Sequence, residues 1–192
     1  MSLIFLCSCR KEKNMAQKFF DIEKLNDVYY GEITGEQSII AKGKIGSHDF
    51  AIINRTLNPC SYIRLNPDSP FLGKAEEDIP IDCHFGLTYA RNHSQLGFKE
   101  LPLGYWIGWD YGHIDDYCNG DIRQVDGFSH KWTYEELIQE MIYVCGQLDA
   151  AEYAEQASDG IVSDLQEQLG KLHELNAQME EFLEKRVKEV EE

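Results

Sequence analysis

The hydrophobic period of this 192-residue chain changes partway along, and that change limits the folds open to it. From Phe19 to Tyr111, apolar residues come in short runs rich in β-branched and aromatic side chains, cut by glycine, proline and asparagine. From Thr133 onward they recur every three or four positions. A period of two belongs to strands and one near 3.6 to helices, so the order of the two periods implies an α+β fold. The expected architecture is a small antiparallel or mixed sheet covered by a helix, plus a long C-terminal amphipathic helix.

Three stretches follow from this pattern. Residues 1–18 read as an N-terminal extension, 19–157 as the α+β domain and 158–192 as the C-terminal helix. Within the domain the expected strands are Val28–Glu32, Ser38–Ile45, Asp49–Asn54, Ile79–Tyr89 and Gly104–Tyr111. The segment NPCSYIRLNPDSP should hold a short edge strand, Ser61–Leu65, because proline cannot donate to a central ladder. Thr133 and Glu136 stand at capping-box spacing, with Trp132 and Leu137 placed to form a hydrophobic staple. Leu137, Met141, Val144, Cys145 and Leu148 then form the stripe that would cover a sheet. That helix should end near Gln156, where Ser158, Asp159 and Gly160 interrupt it. A further helix starts at Ile161, with Leu165, Leu169, Leu172, Met179, Leu183 and Val190 on one seam. Asn176 on that seam is a register device of coiled coils, while Arg186 makes the repeat imperfect. The helix is open to three readings, folded on its own domain, packed antiparallel on the 133–156 helix, or forming a homo-oligomer through 161–190. With the acidic surface, the last makes a protein–protein interaction or oligomerisation module an alternative function.

The formal net charge is −16, from 34 acidic and 18 basic side chains. Such a surface repels phosphate backbones, which argues against general nucleic-acid binding but leaves a small anionic ligand possible. Six cysteines, Cys7, Cys9, Cys60, Cys83, Cys118 and Cys145, form no C-x-x-C pair and fit reduced thiols of a cytoplasmic protein. The opening MSLIFLCSCRKEKNM has an apolar run far too short to span a membrane, and Met15 is read as the natural start.

Chemistry concentrates between Asp82 and Asp116, where CHFGLTYA precedes YWIGWDYGHIDD. His84, Thr88, Tyr89, Trp106, Asp110, His113 and Asp116 are the expected ligand-binding residues, a mix of donors, acceptors and rings that suits a polar pocket with aromatic walls. Trp106 and Asp110 should share one face of their strand, and Tyr105, Trp109 and Tyr111 the other. On the first face Trp106 could stack a base and Asp110 bind its polar edge or a ribose hydroxyl. His84, Asp110 and His113 are the catalytic candidates, for proton transfer or a metal-assisted hydrolase. A metal is not the expectation; His113, Asp110 and Asp115 are the ligands it would take. Cys83 neighbours His84 on an expected strand and so faces away from it, which argues against a thiol nucleophile. No P-loop, G-x-G-x-x-G, G-x-S-x-G or H-E-x-x-H motif is present, and no cofactor is specified.

These blocks resemble a family of small phage and prophage proteins with an H-G-G-x-T-Y block and a W-x-G-F-D-x-x-H-x-G-D block before a final helix. His84, Gly86, Thr88 and Tyr89 match the first, with Phe85 where a glycine is usual. Trp106, Gly108, Asp110, His113 and Asp116 match the second, with Trp109 for phenylalanine and Asp115 for glycine. Pro59 and Tyr62 fit an upstream proline–x–x–tyrosine segment, so the resemblance covers about residues 25–150. It implies a phage accessory protein, by analogy one that sequesters a nucleotide defence signal of the host. Phe85 and Asp115 would narrow or recharge its pocket.

Overall fold

The computed structural model describes residues 20–31, 33, 35–120 and 129–191, by backbone alone at 93, 172, 173 and 175–191. The extension 1–18, with Cys7 and Cys9, lies outside the described residues. The chain divides into two compact units, Met1–Glu152 and Tyr153–Glu192.

The first unit is built on one six-stranded antiparallel sheet. Its strands are β1 (Phe20–Lys24), β2 (Ser38–Ile45), β3 (His48–Asn54), β4 (Pro59–Arg64), β5 (Tyr89–Ser94) and β6 (Gly104–Asp110), in the order β1-β2-β3-β4-β6-β5. A helix, α1 (Tyr134–Glu191), completes the α+β fold. No helix among the described residues is long and apolar enough to cross a membrane.

The inner strands β3, β4 and β6 are buried on both faces, and their side chains sort between them by alternation. Phe50, Ile52, Ile63, Tyr105, Ile107 and Trp109 join the cluster that contains Leu137, Met141, Val144, Cys145 and Leu148 of α1. Burial of each leucine, methionine or valine of that stripe contributes roughly 1.5–3 kcal/mol. Ala51, Ile53, Cys60, Tyr62 and Trp106 take the opposite face, with Leu96 and Leu101 from the β5–β6 connection. The expected division of Tyr105, Trp109 and Tyr111 from Trp106 is therefore observed. Double-sided burial also explains runs such as Ala51-Ile52-Ile53, where no polar residue alternates.

The capping box forms. Thr133 N donates to Glu136 Oε2 (2.8 Å) and Glu136 N donates to Thr133 Oγ1 (3.3 Å). Beyond it α1 continues through Ser158, Asp159 and Gly160, so the two expected helices are one. A single glycine costs about 1 kcal/mol in a helix, too little to stop one flanked by good helix formers. The second unit is helical as far as Glu191, with Ile161, Leu165 and Leu169 exposed. The other seam residues, from Leu172 to Val190, have no described side chains.

Three strand expectations are corrected. Ser61–Leu65 was expected at an edge, yet β4 is interior, between β3 and β6. Pro59 is tolerated because it opens the strand, where its carbonyl accepts from Tyr111 N (3.1 Å) and no N–H is required. Residues 28–31 of the expected strand Val28–Glu32 form none, and Glu32 lies outside the described residues. Side-chain amides replace the ladder there: Asn54 Oδ1 accepts from Tyr29 N (3.1 Å), and Asn119 Oδ1 from Gly31 N (2.9 Å). Ile79–Tyr89 is irregular up to β5 for a similar reason. Gln147 Oε1 of α1 accepts from Asp82 N (2.8 Å), and Glu140 Oε1 accepts from His84 N (2.7 Å). Phe85 and Gly86 then turn with φ of 54° and 87°, which no strand permits.

Candidate functional site

That turn aims His84 at Asp116. Its Nε2 donates to Asp116 Oδ2 at 2.7 Å, and the same oxygen accepts from His113 N at 2.9 Å. Trp132, just before α1, donates its indole N–H to Asp116 Oδ1 at 2.8 Å. The Asp116 side chain is only 3% exposed. Burial pushes its carboxyl up, but the hydrogen bonds from Trp132, His84 and His113 N outweigh burial and hold it below the ordinary carboxylate range. Asp116 is thus an anion at neutral pH, held by three donors. An ionised carboxylate only accepts, so His84 carries its proton on Nε2, and when neutral it presents Nδ1 as an acceptor.

Rings enclose this centre. His84 stacks on Tyr111 with centroids 5.3 Å apart and meets Trp132 edge-on at 4.9 Å. Tyr111 OH donates to Glu140 Oε2 (2.8 Å) and accepts from Trp109 Nε1 (2.9 Å). Burial, and after it the Glu140 carboxylate, pushes the Tyr111 hydroxyl well above its usual value, so it remains a donor. Glu140 therefore holds both the His84 backbone and the ring under it. On the outer side Phe85 lies flat on His113, with centroids 4.2 Å apart and planes 11° off parallel. Phe85 is 64% exposed and adopts a left-handed conformation that costs a non-glycine residue about 1–2 kcal/mol. His113 Nδ1 is buried and lies 3.4 Å from Asp116 Oδ2 without making a hydrogen bond.

Of the expected residues, His84, His113 and Asp116 come together, and their ligand atoms lie within 4.8 Å of one another. Asp110 instead accepts from Thr88 Oγ1 (3.1 Å) and Gly112 N (3.0 Å), forming an exposed pair beside the group in the chain. Asp115 is exposed, and neither it nor Asp110 belongs to the metal-capable group. Tyr89 turns to the opposite sheet face, edge-on to Tyr62 and bonded to Ser94 Oγ (2.8 Å). Trp106 is fully buried on that face, its indole donating to Pro102 O (3.1 Å). The rings that line the histidines are Phe85, Tyr111 and Trp132.

Glu140 and the Trp132–Asp116 bond went unread in the sequence. Glu140 did leave a signal, a carboxylate three residues after Leu137 and four before Val144, on the core-facing stripe of α1. The strand alternation that argued against a Cys83 nucleophile does not form. Cys83 is buried, and burial with the nearby Glu140 carboxylate pushes its thiol up to about 12, a separate ground against a thiolate. A cavity of about 310 Å³, lined by Tyr29, Gln37, Asn54 and Arg55 among others, shares no residue with the histidine group. No family model, curated protein or solved structure matches the chain.

Proposed function

We propose that His84, His113 and Asp116, with Phe85, capture a small anionic, nucleotide-like ligand in the host cytoplasm. The carrying observation is Phe85. A bulky ring held exposed, in a left-handed backbone conformation and with one face flat against an imidazole, leaves its outer face open to a ligand, which points to a use at this position. An aromatic face of this kind stacks a base for roughly 1–3 kcal/mol. His113 supplies an N–H for an anionic group, and His84 Nδ1 supplies an acceptor for a hydroxyl. The resemblance to phage proteins adds a setting, sequestration of a host defence signal without turnover. The test is native mass spectrometry of protein purified from cells, followed by incubation with nucleotide signals. A bound species lost in Phe85→Ala and His84→Ala supports capture; signals returned unbound and unchanged defeat it.

One observation favours a second reading, a metal-assisted or His/Asp-dependent hydrolase. His113 Nδ1 is buried without a hydrogen bond and near an anionic oxygen, as a metal ligand would be. Two imidazoles and one carboxylate suit a first-row divalent ion with open positions. Turnover of phosphoesters by the metal-loaded chain, abolished in His113→Asn, would move this reading ahead of capture.

A further inference from the structure

A second histidine group lies where the β2–β3 turn meets α1. His48 opens β3 and is fully buried at 0% exposure. Its Nε2 is 2.8 Å from Asp149 Oδ1 and 3.9 Å from Glu152 Oε2. Asp149 and Glu152 are three residues apart on a helix and therefore share a face. The turn presses onto them: Ser47 Oγ donates to Asp149 Oδ1 (3.4 Å), and a methyl added to Gly46 would come within 3.2 Å of Asp149 Oδ2.

Two atoms of this group are buried without a hydrogen bond, His48 Nδ1 and Glu152 Oε1. Two carboxylates face a single imidazole, and among the described residues no lysine or arginine pairs with either. Even with His48 protonated, a negative charge is left over beside the buried Glu152 carboxylate, and a cation would balance it. Zinc bonds of about 2.0–2.2 Å to nitrogen and oxygen, set tetrahedrally, hold ligand atoms roughly 3.3 Å apart. The distances of 2.8 and 3.9 Å straddle that value. The half-exposed Asp149 leaves a side open for water to fill the remaining positions.

We propose that His48, Asp149 and Glu152 bind a divalent first-row transition ion of the zinc or manganese class, which clips the β2–β3 turn to the helix. One imidazole with two carboxylates is a donor set for such ions. The clip is separate from ligand capture at His84 and stands whether or not that reading holds.

The test uses the full chain, stripped with chelator and titrated with ZnCl2 and MnCl2 by calorimetry and thermal melting. The wild type should bind the ion and melt higher with it. Asp149→Asn with Glu152→Gln keeps the side-chain volumes, and should weaken binding by at least about tenfold and remove the melting shift. If the double variant fails to fold, Glu152→Gln alone carries the measurement. His113→Asn, at the other histidine group, should keep the response. A wild type that neither binds nor shifts overturns the site, as does undiminished binding in the carboxylate variants. A response lost only in His113→Asn assigns the ion elsewhere and overturns it as well.

Discussion

The two histidine–carboxylate groups use the same residue types and reach opposite electrostatic states. At Asp116 one buried carboxylate meets three hydrogen-bond donors and sits among rings, so the anion is balanced by the protein itself. At His48 two carboxylates meet one imidazole, and buried atoms stay unpaired. The difference lies in what surrounds each acid. Trp132 and a backbone N–H converge on Asp116, whereas Asp149 and Glu152 come from a single helix face and bring no donor with them. Residue type nominates a site, and the neighbours' hydrogen-bond capacity decides whether it is complete or waiting for something.

Removing the carboxylate should separate the groups most sharply. Asp116→Ala leaves the Trp132 indole, His84 Nε2 and His113 N without their acceptor and should cost about 3 kcal/mol in urea unfolding at pH 7. Because the folded carboxyl sits below its unfolded value of about 3.9, its contribution is present above that pH and fades as pH falls through the folded value. The acid loss should therefore be smaller in the variant; an equal loss would mean Asp116 is not the balanced anion described. Next in size, Glu140→Ala removes the acceptor of Tyr111 OH and His84 N and should cost about 2 kcal/mol. His84 ring signals in NMR should move with it, and unmoved signals would deny Glu140 its positioning role.

Phe85→Gly should change the sign. It removes an exposed ring and relieves a left-handed residue, so stability should rise by about 1 kcal/mol while ligand capture weakens. A variant that gains stability and keeps its ligand would sink the stacking argument. The smallest effect is expected at the other group. Without added metal, Glu152→Gln removes surplus charge and should be neutral or stabilising by about 0.5 kcal/mol. A clear loss would erase the contrast between the groups.

The fold was legible wherever local pattern and tertiary contact agree. Ser38–Ile45 forms a strand with the expected bounds, and the Thr133–Glu136 box starts the helix as read. It was illegible where side chains distant in sequence replace backbone partners, as Asn54 and Asn119 do for residues 29–31, and Glu140 and Gln147 for 82–84. The site divides the same way. His84, His113 and Asp116 were named from composition and spacing, but the aromatic and apolar strand neighbours of Asp110 favoured it as the acid with a special role. Only the return of Trp132 to Asp116 reveals which carboxylate is enclosed, and no local window contains both. Trp106 shows the converse, since an aromatic beside a site in sequence can belong to the opposite face of the sheet.

The strand order also bears on how the molecule assembles. β2, β3 and β4 follow one another through short turns, whereas β1 reaches β2 across residues 25–37 and β6 reaches β4 from beyond the whole β5 excursion. Local pairings form at little cost in chain entropy, and distant ones follow. His84 and Asp116 flank β6 on its two sides in sequence, and Trp132 arrives only with the helix. A chain stalled with its meander built would carry no fragment of the histidine centre. If the proposed capture holds, ligand binding would certify completed folding, and a bound molecule would draw the population towards finished protein by mass action.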